Sequence, residues 1–461
     1  MYASNWRPIV LVAGESVLLV AAVAISSFLR LGDLAWLTFA GIDGIAKVLM
    51  VVGVCQLCLY YSDLYESRNL TDPRDLLIRL CQAIGSAALI LAAVYFWWPD
   101  WIIGRGVFLI SVVFMISLAV FWRALFAWLT QRVAPRERLL LVGTNSAAIA
   151  LARELFDRRQ QLGVEIVGFI DPDPSMIGAP IINPGVVGAI EDIPLLVSRL
   201  NVDRVVVSLA DARGRLPMDK LLDIRLGTGV TFDHLATVYE EYTGKIAVEN
   251  LRPSWLIFSE GFRKTRLLLT EKRILDLIAA AVGLLVFSPV MLIVAAAVRC
   301  SSRGDIFYHQ ERVGRHGHVF IVHKFRTMRA DAEQATGPVW SQANDQRVTP
   351  IGNFLRRARL DELPQLWNVL LGEMSLVGPR PERPEFVKQL TDSIPFYGQR
   401  HVVKPGVTGW AQVRYTYGAS VEDAIEKLQY DLFYIKNLSI ALDLIIIFET
   451  IKTVIMRRGS R

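Results

Sequence analysis

The sequence predicts a membrane protein in three parts: a bundle of four transmembrane helices at residues 1–130, an α/β module at 131–255, and a mostly α-helical domain at 256–461 that includes a re-entrant membrane helix. Three observations predict this organisation. Apolar residues make up 53% of the chain and charged residues only 20%, and the apolar excess lies before residue 130 and again near 280 and 445. Short apolar strands alternate with helical segments after residue 137. The final region is rich in Arg, Gly and Pro, and its elements are short.

The bundle is predicted from four apolar segments, each close to the ~20 residues that a helix needs to cross a bilayer. They lie at about 9–29, 45–61, 81–98 and 106–128. Arg7, the loop at 68–79 and the segment at 132–138 are basic and fall on one side, so the positive-inside rule places the N-terminus and everything after residue 130 in the cytoplasm. We expect the first segment to remain as an anchor rather than be cleaved as a signal peptide. Glu15, inside it, is expected to face the bundle rather than act as a functional acid.

Charge and cysteine content argue against two other classes of function. The net charge of +6 on 461 residues is too small to indicate nucleic-acid binding. Cys55 and Cys58 form a CxxC, but no second pair or nearby histidine joins them, so we interpret them as small buried apolar residues rather than a zinc or redox site. The histidines between residues 309 and 323 match no common zinc spacing.

The middle region is predicted to form a parallel, Rossmann-like α/β module. Strands are expected at 139–142, 164–170 and 204–209, with helices through 152–156 and near 190–200. The first turn, at 143–148, resembles the dinucleotide-binding fingerprint, but Asn145 and Ala148 replace its second and third glycines. This substitution favours a structural or regulatory module over a nucleotide site, although a nucleotide role stays open.

The fifth apolar block, residues 277–298, contains 22 residues without a charge. Ser288 and Pro289 lie at its middle, where an interior proline kinks or breaks a helix. Basic residues flank both ends, and a fifth crossing would place the remaining polar domain outside the cytoplasm. We therefore predict a re-entrant helix at about 274–298, broken at Ser288 and Pro289, with a kinked span as the alternative. The Ser288 hydroxyl or a neighbouring segment is expected to satisfy the carbonyls freed near Leu284 and Leu285.

The last apolar stretch, from Leu438 to Met456, contains Asp443, Glu449 and Lys452. Charges are costly at the centre of a bilayer, so this stretch is predicted to be an amphipathic helix at the interface or in the core of its own domain.

Adjacent acids at Asp361 and Glu362 are the strongest candidates for chemistry. They stand where a helix is expected to begin, with Pro364 in its first turn and Gly372 just past its end. A helix N-terminus stabilises a carboxylate anion, which can act as a nucleophile or a metal ligand. A capping pair is the alternative.

Basic residues around this carboxylate pair indicate phosphate chemistry. Lys324 and Arg326 lie in KFRTM, Arg380 lies in a Gly-Pro-Arg-Pro corner, and Arg356 precedes the pair together with Arg357 and Arg359. Guanidinium groups bind phosphate oxygens in a bidentate manner. Two carboxylates among these cations predict a metal-assisted phosphoryl site with Mg²⁺, and surface salt bridges are the alternative.

From about residue 268 to the end, the chain resembles the bacterial sugar transferase domain of the monotopic phosphoglycosyl transferases. The matching stretches are EKRILDLIAAAVGLLVFSPVML, YHQERVGRHGHVFIVHKFRTM, RLDELPQLWNVLLGEMSLVGPRPE and KPGVTGWAQV. With its spans and α/β module, the whole chain looks like the long, exopolysaccharide-type form of the family.

The resemblance implies an enzyme that transfers a sugar-1-phosphate from a UDP-sugar to polyprenyl (undecaprenyl) phosphate and releases UMP. Asp361 would be the nucleophile, and Glu362 would orient it or help to hold Mg²⁺. Phosphate-binding roles would fall to Lys324, Arg326, Arg356 and Arg380, and Ser288 and Pro289 would form the re-entrant break. The resemblance also implies a bacterial inner (cytoplasmic) membrane location, with the catalytic domain on the cytoplasmic face, and a possible homodimer. A non-catalytic scaffold or nucleotide sensor acting through the α/β module is the alternative function.

Overall fold

The computed structural model describes residues 6–35, 39, 41–62, 64–65, 73–132, 136–157, 162–208, 218–248, 259, 261–329, 332, 347–415, 418 and 420–455. The chain forms two compact units, Met1–Tyr242 and Thr243–Arg461. The first contains the predicted bundle and α/β module, and the second contains the carboxylate pair.

Four long helices lie at the four apolar segments that were predicted as spans. They are α1 (Trp6–Leu31), α2 (Gly41–Tyr61), α3 (Pro73–Trp97) and α4 (Arg105–Arg132). Each is long and apolar enough to cross a membrane, as is a fifth helix in the second unit. Cys55 and Cys58 are buried in the apolar core of the bundle, which agrees with their interpretation as small apolar side chains.

A buried ion pair joins α1 to α4 inside the bundle. Glu15 is only 1% exposed, and its Oε1 accepts a bond from Arg123 Nε at 2.5 Å. Arg123 Nη1 also donates to the carbonyl oxygen of Leu64 at 2.6 Å, and Tyr65 Oη donates to Glu15. Glu15 therefore faces the bundle, as predicted, and its contacts tie the two helices to the segment that follows α2.

We expect Arg123→Met to destabilise the bundle, because it leaves Glu15 buried without its ion-pair partner. Removing one member of a buried pair costs about 3–5 kcal/mol. Heating the detergent-solubilised protein and measuring the fraction that stays monodisperse should give a lower midpoint. The double variant Glu15→Gln/Arg123→Met is the matched control and should recover part of the loss. A single variant as stable as the wild type would contradict this prediction.

The α/β module contains a five-stranded parallel sheet in the order β3-β2-β1-β4-β5, the order of a Rossmann-like fold. Its strands are β1 (Glu137–Val142), β2 (Val164–Asp171), β3 (Val186–Ala189), β4 (Arg204–Val207) and β5 (Thr231–His234), and its helices are α5 (Ser146–Asp157), α6 (Ile193–Arg199), α7 (Met218–Thr228) and α8 (Leu235–Thr243). The predicted strands and helices are confirmed. The sequence interpretation missed β3 and β5, which have only four residues each.

Internal hydrogen bonds occupy the turn between β1 and α5. Asn145 Oδ1 accepts from the N–H of Ala148 at 2.9 Å, and Asn145 Nδ2 donates to the carbonyl of Ser208 at 2.8 Å. Thr144 Oγ1 donates to Asp171 at the end of β2. Thus Asn145 caps α5 at the place where a fingerprint glycine would admit a pyrophosphate. A cavity of about 460 Å³ lies at the opposite, amino end of β1 and β2 and is lined in part by Arg138.

The second unit begins with the 36-residue helix α9 (Arg266–Ser301), about 54 Å long at 1.5 Å per residue. It differs from the prediction in one respect: α9 continues through Pro289 without a break. Pro289 has no N–H for the carbonyl of Leu285, and Ser288 Oγ donates to that carbonyl at 2.8 Å, as predicted. Leu285 and Leu292 are among its exposed apolar side chains. A re-entrant path through the membrane stays a prediction.

The remaining elements of this unit are short, apart from two C-terminal helices. They are β6 (Phe307–Val313), β7 (Val319–Phe325), α10 (Pro350–Arg357), α11 (Gln365–Leu371), β8 (Ser375–Val377), α12 (Pro384–Ser393), β9 (Gly406–Thr408), α13 (Trp410–Arg414), α14 (Val421–Asn437) and α15 (Ile440–Ile455). Strands β6 and β7 form an antiparallel hairpin, and β8 pairs with β9 in parallel.

Helix α15 packs one face into the core of this unit. Its Asp443 is buried and pairs with Lys272 Nζ at 2.5 Å, and Tyr434 Oη donates to the same carboxylate at 2.8 Å. Phe448 and Ile451 are exposed on α15. The predicted amphipathic helix is therefore confirmed, with Asp443 in the domain core.

Candidate active site

The carboxylate pair lies in a tight turn that precedes a helix. Asp361 and Glu362 belong to the 3₁₀ turn Leu360–Glu362, which follows Arg359 in a left-handed conformation at φ 53°. Helix α11 starts at Gln365 and ends at Leu371, and Gly372, which caps this end, adopts φ 89°. The predicted helix end is confirmed, but the start lies a few residues later than expected. Asp361 and Glu362 are only 8% and 9% exposed, so both carboxyl groups are largely removed from water.

Helix α11 is fixed to the strand that provides Lys324. Asn368 Nδ2 donates to the carbonyl of Ile321 at 2.7 Å, and its Oδ1 accepts from the N–H of His323 at 3.2 Å. Arg273 of α9 caps the other end of α11 by donating to the carbonyl of Val369 at 2.6 Å. These contacts fix α11, which follows the carboxylate pair, against β7, which carries Lys324.

Three cations surround Glu362. Arg380 Nη2 and Lys324 Nζ approach its Oε1 at 2.9 Å and 3.3 Å, and Arg359 Nη1 approaches its Oε2 at 3.4 Å. Burial alone would raise the pKa of Glu362, but the charges of Arg380, Lys324 and Arg359 hold it well below its usual range. Glu362 is therefore an anion that is held in place by its neighbours.

Asp361 is in a different environment. Within the part of the chain that the structure describes, no side chain or N–H forms a hydrogen bond with its carboxylate. Burial and the adjacent charge of Glu362 raise the pKa of Asp361 to about 6, although Lys324, Arg356 and Arg380 lower it. Glu362 is thus bound to cations, whereas the oxygens of Asp361 are available for a substrate.

The structure brings three of the four predicted cations to the pair. Lys324 and Arg380 contact Glu362 directly, and Arg356, whose Nε donates to Thr327 Oγ1 at 2.9 Å, acts electrostatically on Asp361. Arg326 lies elsewhere. Its guanidinium donates to the carbonyls of Ser302 and Arg303 at 2.9 Å and 3.2 Å, where the end of α9 leaves carbonyls without helical partners.

The sequence placed Arg359 among the cations near the carboxylate pair but gave it no phosphate-binding role, and it did not point to Arg312. The three-residue spacing of Arg359 to Glu362 is the signal for their contact. Arg312 gives no such signal, because the β6–β7 hairpin brings it to the Arg380 corner, where its Nη1 donates to the carbonyl of Pro381 at 2.9 Å.

The expected Mg²⁺ is compatible with the donor atoms. Among the described residues, no group of three His, Cys, Asp or Glu side chains could hold a metal ion. Magnesium, however, often takes only one or two carboxylates and completes its coordination with water and substrate phosphates. Among the described residues, the Asp361 oxygens accept no hydrogen bond and Glu362 Oε2 makes a single 3.4 Å contact, with Arg359, so the pair fits this kind of site.

Comparisons with known proteins match both units. A family model described as bacterial sugar transferase matches residues 267–457, and one described as CoA-binding domain matches residues 61–216. The Rex-family repressor RSP, a solved structure, covers 43% of this chain and 94% of its own at 15% identity with a TM-score of 0.20, too low to support a conclusion.

Three curated relatives illustrate the similarity. The chain is 40% identical to the UDP-N-acetylgalactosamine-undecaprenyl-phosphate N-acetylgalactosaminephosphotransferase of Aeromonas hydrophila, over 50% of this chain and 53% of that protein. It is 34% identical to the UDP-glucose:undecaprenyl-phosphate glucose-1-phosphate transferase of Escherichia coli (strain K12), over 68% of this chain and 67% of that one. It is also 39% identical to the exopolysaccharide production protein PSS of Rhizobium leguminosarum bv. phaseoli, over 41% of this chain and 97% of that one.

Coverage differs among the relatives. The chain spans only 53% of the length of the Aeromonas hydrophila protein, but it covers nearly all of the shorter PSS protein. The residues matched by the family model contain the carboxylate pair and the cations described above. The chain belongs to the bacterial sugar transferase family.

Proposed function

We propose that this protein transfers a sugar-1-phosphate from a UDP-sugar to undecaprenyl phosphate through a covalent intermediate on Asp361, as the first membrane step of exopolysaccharide or related glycan synthesis. The difference between the two acids carries the proposal: Glu362 is held by three cations, whereas the Asp361 carboxylate beside it makes no hydrogen bond within the described part of the chain. The names of the relatives, which are undecaprenyl-phosphate sugar phosphotransferases, support the same reaction.

The first step forms a bond between a carboxylate oxygen of Asp361 and the β-phosphorus of the UDP-sugar. The bond from that phosphorus to the bridging oxygen breaks, and UMP leaves with the electron pair. In the second step, a phosphate oxygen of undecaprenyl phosphate attacks the same phosphorus, and Asp361 is released as a carboxylate. A covalent intermediate divides an exchange between two bulky anions into two easier steps.

The cations in the site are suited to the charge that develops in both steps. Lys324 and Arg380 lie beside Glu362 and can also bind phosphate oxygens, since guanidinium and ammonium groups are the usual protein donors to phosphate. Arg356 adds positive charge near Asp361. Glu362 holds these cations at fixed positions, so little reorganisation is needed during transfer. Magnesium, held by Glu362 and Asp361, would neutralise charge on the diphosphate.

The alternative function as a nucleotide sensor has less support. Asn145 caps α5 in the turn where a dinucleotide would approach, and Asp171, the acid at the end of β2 that could bond a ribose, accepts a hydrogen bond from Thr144 instead. The inner-membrane location, the cytoplasmic position of the catalytic domain and the homodimer stay predictions.

A panel of UDP-sugars tests the proposed function. The full chain in lipid nanodiscs would be incubated with UDP-glucose, UDP-galactose and their N-acetyl derivatives, with undecaprenyl phosphate and Mg²⁺, and nucleotide products would be separated chromatographically. We expect UMP and a sugar-diphospho-lipid from at least one donor, and loss of both with EDTA. Release of UDP would instead indicate glycosyl transfer, and no nucleotide release from any donor would contradict the proposal.

The pKa of Asp361 predicts how the reaction depends on pH. A carboxylic acid is neutral below its pKa, and only its anion is a nucleophile. With a pKa of about 6 for Asp361, the rate of UMP release should fall as the pH is lowered through about 6 and reach a plateau above it. Measuring initial rates between pH 5 and pH 8 checks this, and a rate that is constant across this range would contradict it.

A further inference from the structure

The corner that carries Arg380 is held at four successive carbonyl oxygens. The donors lie on three segments of the unit: Pro379 O accepts from Gly406 N at 2.9 Å, Arg380 O accepts from Arg400 Nη2 at 3.0 Å, and Pro381 O and Glu382 O accept from the adjacent β6 residues Arg312 (Nη1) and Val313 (N), both at 2.9 Å. The prolines on either side of Arg380 also restrict its backbone. The direction of the Arg380 side chain is therefore set by its backbone anchors.

Arg400 anchors this corner with a buried charged side chain. It is 6% exposed, and its Nη2 also donates to Asp431 Oδ2 at 2.8 Å, where Asp431 is 2% exposed. Its Nη1 donates to Tyr397 Oη at 2.6 Å, and the guanidinium carbon lies 5.1 Å from the centre of the Tyr397 ring. Asp431 and Tyr397 thus fix the guanidinium that holds the Arg380 carbonyl.

We propose that Arg400 is a positioning residue for the transfer reaction: fixed by Asp431 and Tyr397, it holds the backbone of Arg380 so that the Arg380 side chain meets Glu362. This inference rests on the proposed function. The path runs from Arg400 Nη2 to Arg380 O at 3.0 Å, and from Arg380 Nη2 to Glu362 Oε1 at 2.9 Å. Arg400 acts through Arg380 and has no contact of its own with the carboxylate pair.

Stability alone does not account for this arrangement. Replacing a buried ion pair by apolar residues of similar volume is often neutral or stabilising, and Tyr397, Leu428 and Phe433 belong to one buried apolar cluster of this unit. An apolar side chain at position 400 could fill the space, but it could not hold the Arg380 carbonyl. The charged group is therefore explained by positioning rather than by packing.

A double-mutant cycle tests the inference on the full chain in nanodiscs. The variants are Arg400→Met, Arg380→Met and the double variant, and the measurements are kcat and KM for UMP release together with the thermal midpoint. We expect Arg400→Met to lower kcat by about 10- to 100-fold, since small displacements of catalytic groups have effects of this size. In the Arg380→Met background, Arg400→Met should cause no further loss, because it acts through Arg380.

A matched control is Lys245→Met. It removes an ion pair with Glu426 on α14, the helix that also carries Asp431, and the two atoms lie 2.5 Å apart. Its kcat should stay close to the wild type. If Arg400→Met does not fold, Arg400→Lys, which keeps the charge beside Asp431 but lacks the guanidinium fork, takes its place in the cycle.

The outcomes separate two failures. The positioning role would be overturned if Arg400→Met lowered kcat by the same factor with and without Arg380→Met, or if the Arg400 variant had wild-type kcat. Either result would leave the proposed function intact. A wild-type protein that releases no UMP from any UDP-sugar would overturn the proposed function and this inference with it.

Discussion

Asp361→Asn is expected to lower the rate of UMP release by about 10,000-fold or more, the size of effect seen when a nucleophile is removed from an enzyme. The amide is nearly the same size as the carboxylate, but it cannot form the acyl phosphate. Because Asp361 makes no hydrogen bond with other described residues, the variant should fold normally. Initial rates of UMP release with saturating UDP-sugar measure the effect.

The matched control for this variant is Asp392→Asn. Asp392 is exposed at the end of α12 in the same unit, so its replacement changes the net charge by the same amount without touching the carboxylate pair. It should leave the rate unchanged. An Asp361→Asn protein with the activity of the control would show that Asp361 is not the nucleophile.

Glu362→Gln is expected to lower kcat by about 100- to 1,000-fold, comparable to the loss of one preorganised electrostatic contact in an active site. The amide has no charge to hold Arg380, Lys324 and Arg359, whose mutual repulsion would then displace them. Glu362→Asp keeps the charge on a shorter side chain and should retain more activity than the amide. Equal activity of the Gln and Asp variants would contradict an electrostatic role.

The same variant should also change the pH dependence. The charge of Glu362 contributes to the raised pKa of Asp361. In Glu362→Gln, the fall in rate at acidic pH (the acid limb of the pH profile) should therefore occur at a lower pH than in the wild type. Asp431 also has a pKa raised to about 6, mainly by burial, but Glu362 is not among the groups that act on it. A limb that stays at about pH 6 in Glu362→Gln would therefore assign it to Asp431 rather than Asp361.

The sequence was most informative where local patterns are sufficient. Apolar runs of membrane length predicted α1 to α4, and alternating strands and helices predicted the parallel sheet. Strands β3 and β5 were missed because four residues carry little periodicity, and they are strands only through pairing with β2 and β4. The uninterrupted α9 shows that one hydroxyl at Ser288 can satisfy a carbonyl freed by a proline.

The composition of the active site could be predicted only in part, because tertiary contacts decide which cations reach the carboxylate pair. Lys324 and Arg326 are two residues apart in one motif, yet one contacts Glu362 and the other caps α9. The motif alone cannot show which of the two residues contacts Glu362, because the contacts of Arg326 depend on where α9 ends. Arg400 and Asp431 are 31 residues apart and show no local signal. The assignment of cations to carboxylates therefore required the tertiary structure.

Mass spectrometry of the protein after incubation with a UDP-sugar and no lipid acceptor tests directly whether Asp361 forms a covalent intermediate. We expect an added phosphosugar on the peptide that contains Asp361, one UMP released per adduct, and loss of the adduct when undecaprenyl phosphate is added. Asp361→Asn should form no adduct. UMP release that occurs only when the lipid is present, with no adduct at any time, would contradict a covalent intermediate on Asp361.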